Sequence, residues 1–188
     1  MKKKLLSIIA VIAIIVLFFC IKDEKIENKT IEENINCNIS EQEVIVRGYS
    51  MSPFLNSGED VDALFGYYDC SPIQRNDIVL YDYSGNNNLL VKFVKAMPGD
   101  RWNLKEIDGS YEIEVNGISL VNSEGRAYLI GEGSVDMLKL YIKDYPVIPE
   151  NTYLLLGDEV KGSFDSTRFG LVGKKDIVAK VEKRRQPE

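Results

Sequence analysis

With 188 residues, 45% hydrophobic content and a formal charge of −6, the chain is long enough for one domain with an appendage, and too acidic to bind nucleic acid through bulk charge. It contains no histidine, which excludes a Ser-His-Asp triad, a Cys-His pair and imidazole metal ligands. No CxxC occurs, so a zinc site is not expected; any general base has to be Lys, Asp, Glu, Tyr or a terminal amine, and chemistry run by such side chains needs no metal or organic cofactor.

The N-terminus reads "MKKKLLSIIAVIAIIVLFFCIKDEK". From Leu5 to Ile21 it carries no charge, a run of about 17 residues that approaches the length of a membrane span. A cleaved secretory signal would end in small residues, whereas this run ends in Phe18, Phe19, Cys20 and Ile21. Residues 1–21 are therefore expected to be an uncleaved anchor in the lipid bilayer. The cluster Lys2, Lys3 and Lys4 favours an N-terminus inside and the remainder outside the cytoplasm. Residues 22–42 are dense in charge and are expected to form a polar, solvated stalk. Of the three cysteines, Cys20 lies in the apolar run, while Cys37 and Cys70 could pair in an extracytoplasmic domain.

From Glu43 the expectation is a mostly β domain reaching residue 188. "EVIVR" reads as a strand and leads into "RGYSMSPFLNSGEDV", a stretch rich in residues that favour turns. "DIVLYDY" and "LLVKFVKAM", separated by "SGNNN", predict a hairpin over residues 77–97. "DGSYEIEVNGISL" alternates between Asp-Gly and Asn-Gly turn signals, and "NTYLLLGD" and "DIVAKVEK" add strands. Residues 122–150, punctuated by Gly125, Gly131, Gly133, Pro146 and Pro149, show no regular pattern.

Ser50, in the bend after the first strand, is either a turn residue or an exposed nucleophile. A base for it could be Lys92, which sits in an otherwise apolar strand: desolvation penalises the ammonium and yields a neutral amine near physiological pH. Taken alone, Lys92 reads more readily as a solvent-facing lysine on an edge strand than as a base. Period-two alternation puts Lys95 on the opposite face. A third segment, "LLLGDEVKGSFDSTRFGLV", ends a strand in Gly157-Asp158 and continues as a polar loop.

Together the three segments resemble, in order, the serine, lysine and aspartate boxes of the type I signal peptidase family, membrane-anchored serine proteases with a Ser-Lys dyad. "GYSMSPFL" is similar to the Gly-x-Ser-Met-x-Pro box, with Gly48, Met51 and Pro53 around the nucleophile Ser50. "VKFVKAMPGD" resembles the lysine box; counting back from Pro98-Gly99-Asp100 puts the base at Lys92. "GDEVKGSFDSTRFGLV" resembles the last box, with Gly157, Asp158, Ser163, Asp165, Ser166 and Gly170 in register.

The resemblance implies two antiparallel β-sheets and a groove for an extended substrate with small residues before the cleaved bond. It also implies a Ser163 hydroxyl that helps hold the lysine, and a nucleophile N–H that serves the oxyanion hole. The hydroxyl that some members carry two residues before the nucleophile is absent, since that position is Gly48. Two positions depart from the family pattern. Phe93 replaces the usual basic residue after the lysine, and Thr167 stands where an arginine usually follows, with Arg168 one place later. The implied function is a membrane-anchored serine endopeptidase that removes signal peptides from exported preproteins. Two other readings share the fold: an inactive, membrane-tethered peptide-binding protein, supported by Phe93 and Thr167, and a specialised maturation peptidase for pilin or conjugation substrates.

Overall fold

The computed structural model describes residues 37–84 and 88–184. The expected anchor and most of the expected stalk lie outside them. Among the described residues no helix is long and apolar enough to cross a membrane.

The strands are β1 (Ser40–Ile45), β2 (Asp60–Phe65), β3 (Ile78–Tyr83), β4 (Asn88–Ala96), β5 (Trp102–Ile107), β6 (Ser110–Val115), β7 (Ile118–Ser119), β8 (Leu129–Ile130), β9 (Thr152–Leu156), β10 (Val172–Gly173) and β11 (Ile177–Lys183). Among the described residues three α-helices interrupt them: α1 (Tyr67–Cys70), α2 (Glu132–Asp144) and α3 (Ser166–Phe169). The strands form two antiparallel sheets. One has seven strands in the order β1-β2-β11-β3-β4-β9-β10, and the other has four, β5-β6-β7 with β8 also paired to β6.

The hairpin expected over residues 77–97 is β3–β4, paired from Ile78 opposite Phe93 to Tyr83 opposite Asn88. Two turns of the smaller sheet follow from their sequences. Asp108-Gly109 and Asn116-Gly117 all take positive φ (49°, 76°, 53° and 80°), the backbone that lets a two-residue turn follow the twist of its strands. β1 begins at Ser40, three residues before Glu43, and Cys37 is bonded to Cys70 at the end of α1.

β9 joins the layers. Leu154 and Leu156 pack with Trp102, Ile113 and Leu138, while the alternate Leu155 packs with Val79, Val94 and Val172. A third cluster holds Met51 and Leu55 of the Ser50 bend against Leu80 and Phe93. Helix α2 falls in the stretch that read as irregular. Its buried Val135 and Leu138 sit one turn apart and close the core over the smaller sheet. Gly131 is its N-cap and Pro146 follows the Tyr145 C-cap, so residues that looked like interruptions are its boundaries.

Candidate active site

The Ser50 bend is pinned at both ends and from inside. The Val46 N–H donates to the Glu59 carbonyl at 2.9 Å, and the Gly58 N–H to the Val46 carbonyl at 2.8 Å. Met51 and Leu55 are buried, and the Leu55 N–H closes a turn on the Met51 carbonyl at 2.8 Å. The Ser50 carbonyl accepts the N–H groups of Asp158 (2.8 Å) and Glu159 (3.1 Å), whereas the Ser50 N–H donates to no other described residue. Gly48 turns the chain at φ 82°, and the Ser52–Pro53 peptide that follows the nucleophile position is cis.

Lys92 lies inside the seven-stranded sheet, between β3 and β9, and not on an edge. Only 2% of it is exposed. Its Nζ stands 2.8 Å from Ser50 Oγ and 2.7 Å from the Val91 carbonyl oxygen. Burial pushes its pKa down to about 8, against a smaller upward pull from the Asp165 charge. A neutral amine is therefore accessible close to neutral pH, in contact with the hydroxyl it could deprotonate.

Lys95 is buried as well, 8% exposed, but it does not approach Ser50 in any hydrogen bond. The β4–β9 register slips by one residue between Val94 and Ala96, which makes Lys95 the extra residue of a bulge. Its ammonium lies 4.8 Å from the centre of the Phe93 ring. At the end of this strand Asp100 accepts from Arg75, from the Met97 N–H and from Asn116, which fixes the Pro98-Gly99-Asp100 turn.

The third segment closes the site from behind. A Cβ on Gly157 would collide with both Ser163 Oγ and the Ser50 carbonyl oxygen, so glycine allows this close approach. Asp158, fully buried, accepts from the Phe54 N–H (3.2 Å), the Ser123 N–H (2.8 Å) and the Ser123 hydroxyl (2.6 Å). Asp165 accepts from the Gly157 N–H at 3.0 Å, the Thr167 N–H at 3.0 Å and the Thr167 hydroxyl at 2.7 Å. The missing arginine is thus answered by the residue that displaced it. Arg168 is exposed and makes no ion pair with Asp165.

Ser166 is a framework residue, its hydroxyl accepting the Leu155 N–H at 2.9 Å. Ser163 is buried beside the Ser50 carbonyl, yet among the described residues its hydroxyl has no hydrogen-bond partner, Lys92 included. Sequence reasoning missed Asn122, Ser123 and Tyr128. Asn122 donates to the Asp158 carbonyl (3.0 Å) and Tyr128 to the Gly157 carbonyl (2.7 Å). They come from the stretch without a regular pattern, where nothing in spacing or composition marks them.

In front of the pair a cavity of about 370 Å³ is bounded by Val44, Val46, Leu80 and Val91, with Ser50 and Lys92 in its walls. One side is β1, an edge strand. Among the described residues no group of His, Cys, Asp and Glu could hold a metal ion.

Residues 3–184 match the family described as "Signal peptidase, peptidase S26". A signal peptidase IB of Staphylococcus aureus is 31% identical over 147 residues, covering 76% of each chain. A signal peptidase I of Bacillus caldolyticus is 33% identical over 147 residues, covering 76% of this chain and 78% of the relative. Among solved structures, the signal peptidase I of Enterococcus faecalis V583 aligns with a TM-score of 0.41 and 22% identity, over 58% of this chain and 97% of that one.

Proposed function

The chain belongs to the signal peptidase S26 family, and on that premise we propose that it is a membrane-anchored serine endopeptidase cleaving signal peptides from exported preproteins, with Ser50 as nucleophile and Lys92 as general base. The observation that carries this reading is the 2.8 Å contact between Ser50 Oγ and an almost wholly buried Lys92 Nζ.

In the mechanism, neutral Lys92 accepts the Ser50 proton as Oγ attacks the carbonyl carbon of the scissile bond. The negative charge that develops on the carbonyl oxygen faces the Ser50 N–H, which donates to no other described residue. The tetrahedral intermediate collapses, the C–N bond breaks, and the Lys92 ammonium returns its proton to the leaving amine. Neutral Lys92 then takes a proton from water as its oxygen attacks the acyl-serine; the ester bond to Ser50 Oγ breaks, Lys92 returns that proton to Oγ, and the carboxylic acid product leaves and loses its own proton to solvent. The Ser50 carbonyl, held by two N–H groups, keeps the bend from rotating away during this cycle.

The apolar cavity beside Ser50 suits small side chains on the acyl side of the bond, and the edge of β1, unpaired among the described residues, suits an extended peptide that pairs as an added strand. The uncharged run Leu5–Ile21 supports an anchor with its N-terminus inside, followed by a stalk and an extracytoplasmic catalytic domain beginning near residue 43. The Cys37–Cys70 bond agrees with an oxidising location. Thr167 at Asp165 and Phe93 packed edge-on against Phe54 weigh against an inactive binding protein, because both departures are absorbed without disturbing the pair.

The test is cleavage of a preprotein by the full chain in detergent. Wild type releases the mature protein after a small residue, and Ser50→Ala does not. A wild-type enzyme that binds the preprotein and never cleaves it contradicts the proposal.

A further inference from the structure

We propose that Lys95 is a positioning residue for the reaction: its buried ammonium is the counter-charge of Asp158 and, through Asp158, braces the bend that carries Ser50. The inference rests on the Ser50–Lys92 reading and adds to it a second lysine that never touches the nucleophile.

Asp158 is fully buried and grips the bend at two points, its N–H on the Ser50 carbonyl (2.8 Å) and its carboxylate on the Phe54 N–H (3.2 Å). Among the described residues no basic group lies within ion-pair distance of that carboxylate. A buried carboxylate without compensation is strongly unfavourable. The compensation comes across one segment of chain: Lys95 Nζ donates to the Val121 carbonyl at 3.1 Å, and two residues on, Ser123 donates both its N–H and its hydroxyl to Asp158. Burial lowers the Lys95 pKa, and the Asp158 charge pulls it back up, so the carboxylate favours the ammonium form; in a low-dielectric interior such an interaction persists beyond contact distance.

The same ammonium packs over the Phe93 ring at 4.8 Å and near the Tyr128 ring at 5.9 Å. Phe93 in turn meets Phe54 of the bend at 5.1 Å, and Tyr128 donates to the Gly157 carbonyl. Three routes therefore lead from Lys95 to the nucleophile's neighbours, and the bulge at Lys95 places that side chain there. The aromatic Phe93 gives the Lys95 ammonium a ring to rest on.

The experiment compares Lys95→Met, Lys95→Gln and Lys95→Arg in the full chain, with Asp158→Asn alone and combined with Lys95→Met. Lys95→Met and Lys95→Gln are expected to lower kcat by roughly ten- to a hundredfold, with KM unchanged within about twofold. Lys95→Arg should recover part of the loss, and the double variant should be no worse than the poorer single. A wild-type kcat in the Met and Gln variants overturns the proposal. So does an additive double variant, or activity that merely tracks the amount of folded protein. Failure of the underlying dyad is a separate result, full activity in Lys92→Ala, and leaves a different signature from any of these.

Discussion

In the proposed mechanism Lys92 is the base, and the same burial gives it a stability cost. Its pKa falls from the ordinary 10.5 to about 8 on folding, chiefly through desolvation, so between those values the unfolded chain binds more protons than the folded one. Stability therefore rises with pH across that window. Lys92→Met should stabilise the fold by roughly 3 kcal/mol below pH 8, by progressively less as the pH climbs, and by nothing from this source above 10.5. Urea unfolding of both proteins at acidic and strongly alkaline pH measures the difference. Removing the amine should also remove the base: Lys92→Ala is expected to lose about 100- to 10,000-fold in kcat. Ser50→Ala should lose activity at least as severely, and the double variant little more than either single, because the two act as a unit. Steady-state cleavage assays on correctly folded variants check this.

The elements that hold these residues differ in how clearly the sequence announces them. The β3–β4 hairpin is legible because apolar alternation, a turn cluster and the lysine box agree. The Ser50 bend is legible because Gly48, Pro53 and a flanking strand mark it. Helix α2 is not, because Gly131 and Pro146 punctuate the stretch and outweigh the spacing of Val135 and Leu138. The bulge at Lys95 and the grip of Ser123 on Asp158 depend on long-range register, which no local pattern encodes. Asp165 teaches a related lesson: the missing arginine was readable, but the Thr167 hydroxyl replacing it required the loop's geometry. Gly157→Ala tests the element directly. Its added methyl meets the Ser50 carbonyl and Ser163, so kcat should fall by roughly a hundredfold or more, while circular dichroism shows the sheets intact.

At the scale of the whole molecule the fold joins two sheets through β9 and ties its N-terminal entry to α1 by the Cys37–Cys70 bond. That bond closes a loop with a sequence separation of 33, and its loss through Cys37→Ser should cost about 3 to 4 kcal/mol. Denaturation midpoints with and without reductant should converge for the variant and differ for the wild type. The N-terminal run belongs to the same scale: full-length chain should remain with the membrane after an alkaline wash. A soluble form beginning near Lys22 would show that the run is removed.

The central claim, a neutral buried lysine activating Ser50, is tested most directly by kcat/KM as a function of pH for wild type and Lys92→Ala. The account predicts an acid limb with its midpoint near 8 in the wild type, following the depressed pKa of Lys92, and its disappearance from the residual activity of Lys92→Ala. A limb near pH 4, in the range of ordinary carboxylates, unchanged by Lys92→Ala, would contradict it and assign the base to a carboxylate such as Asp165.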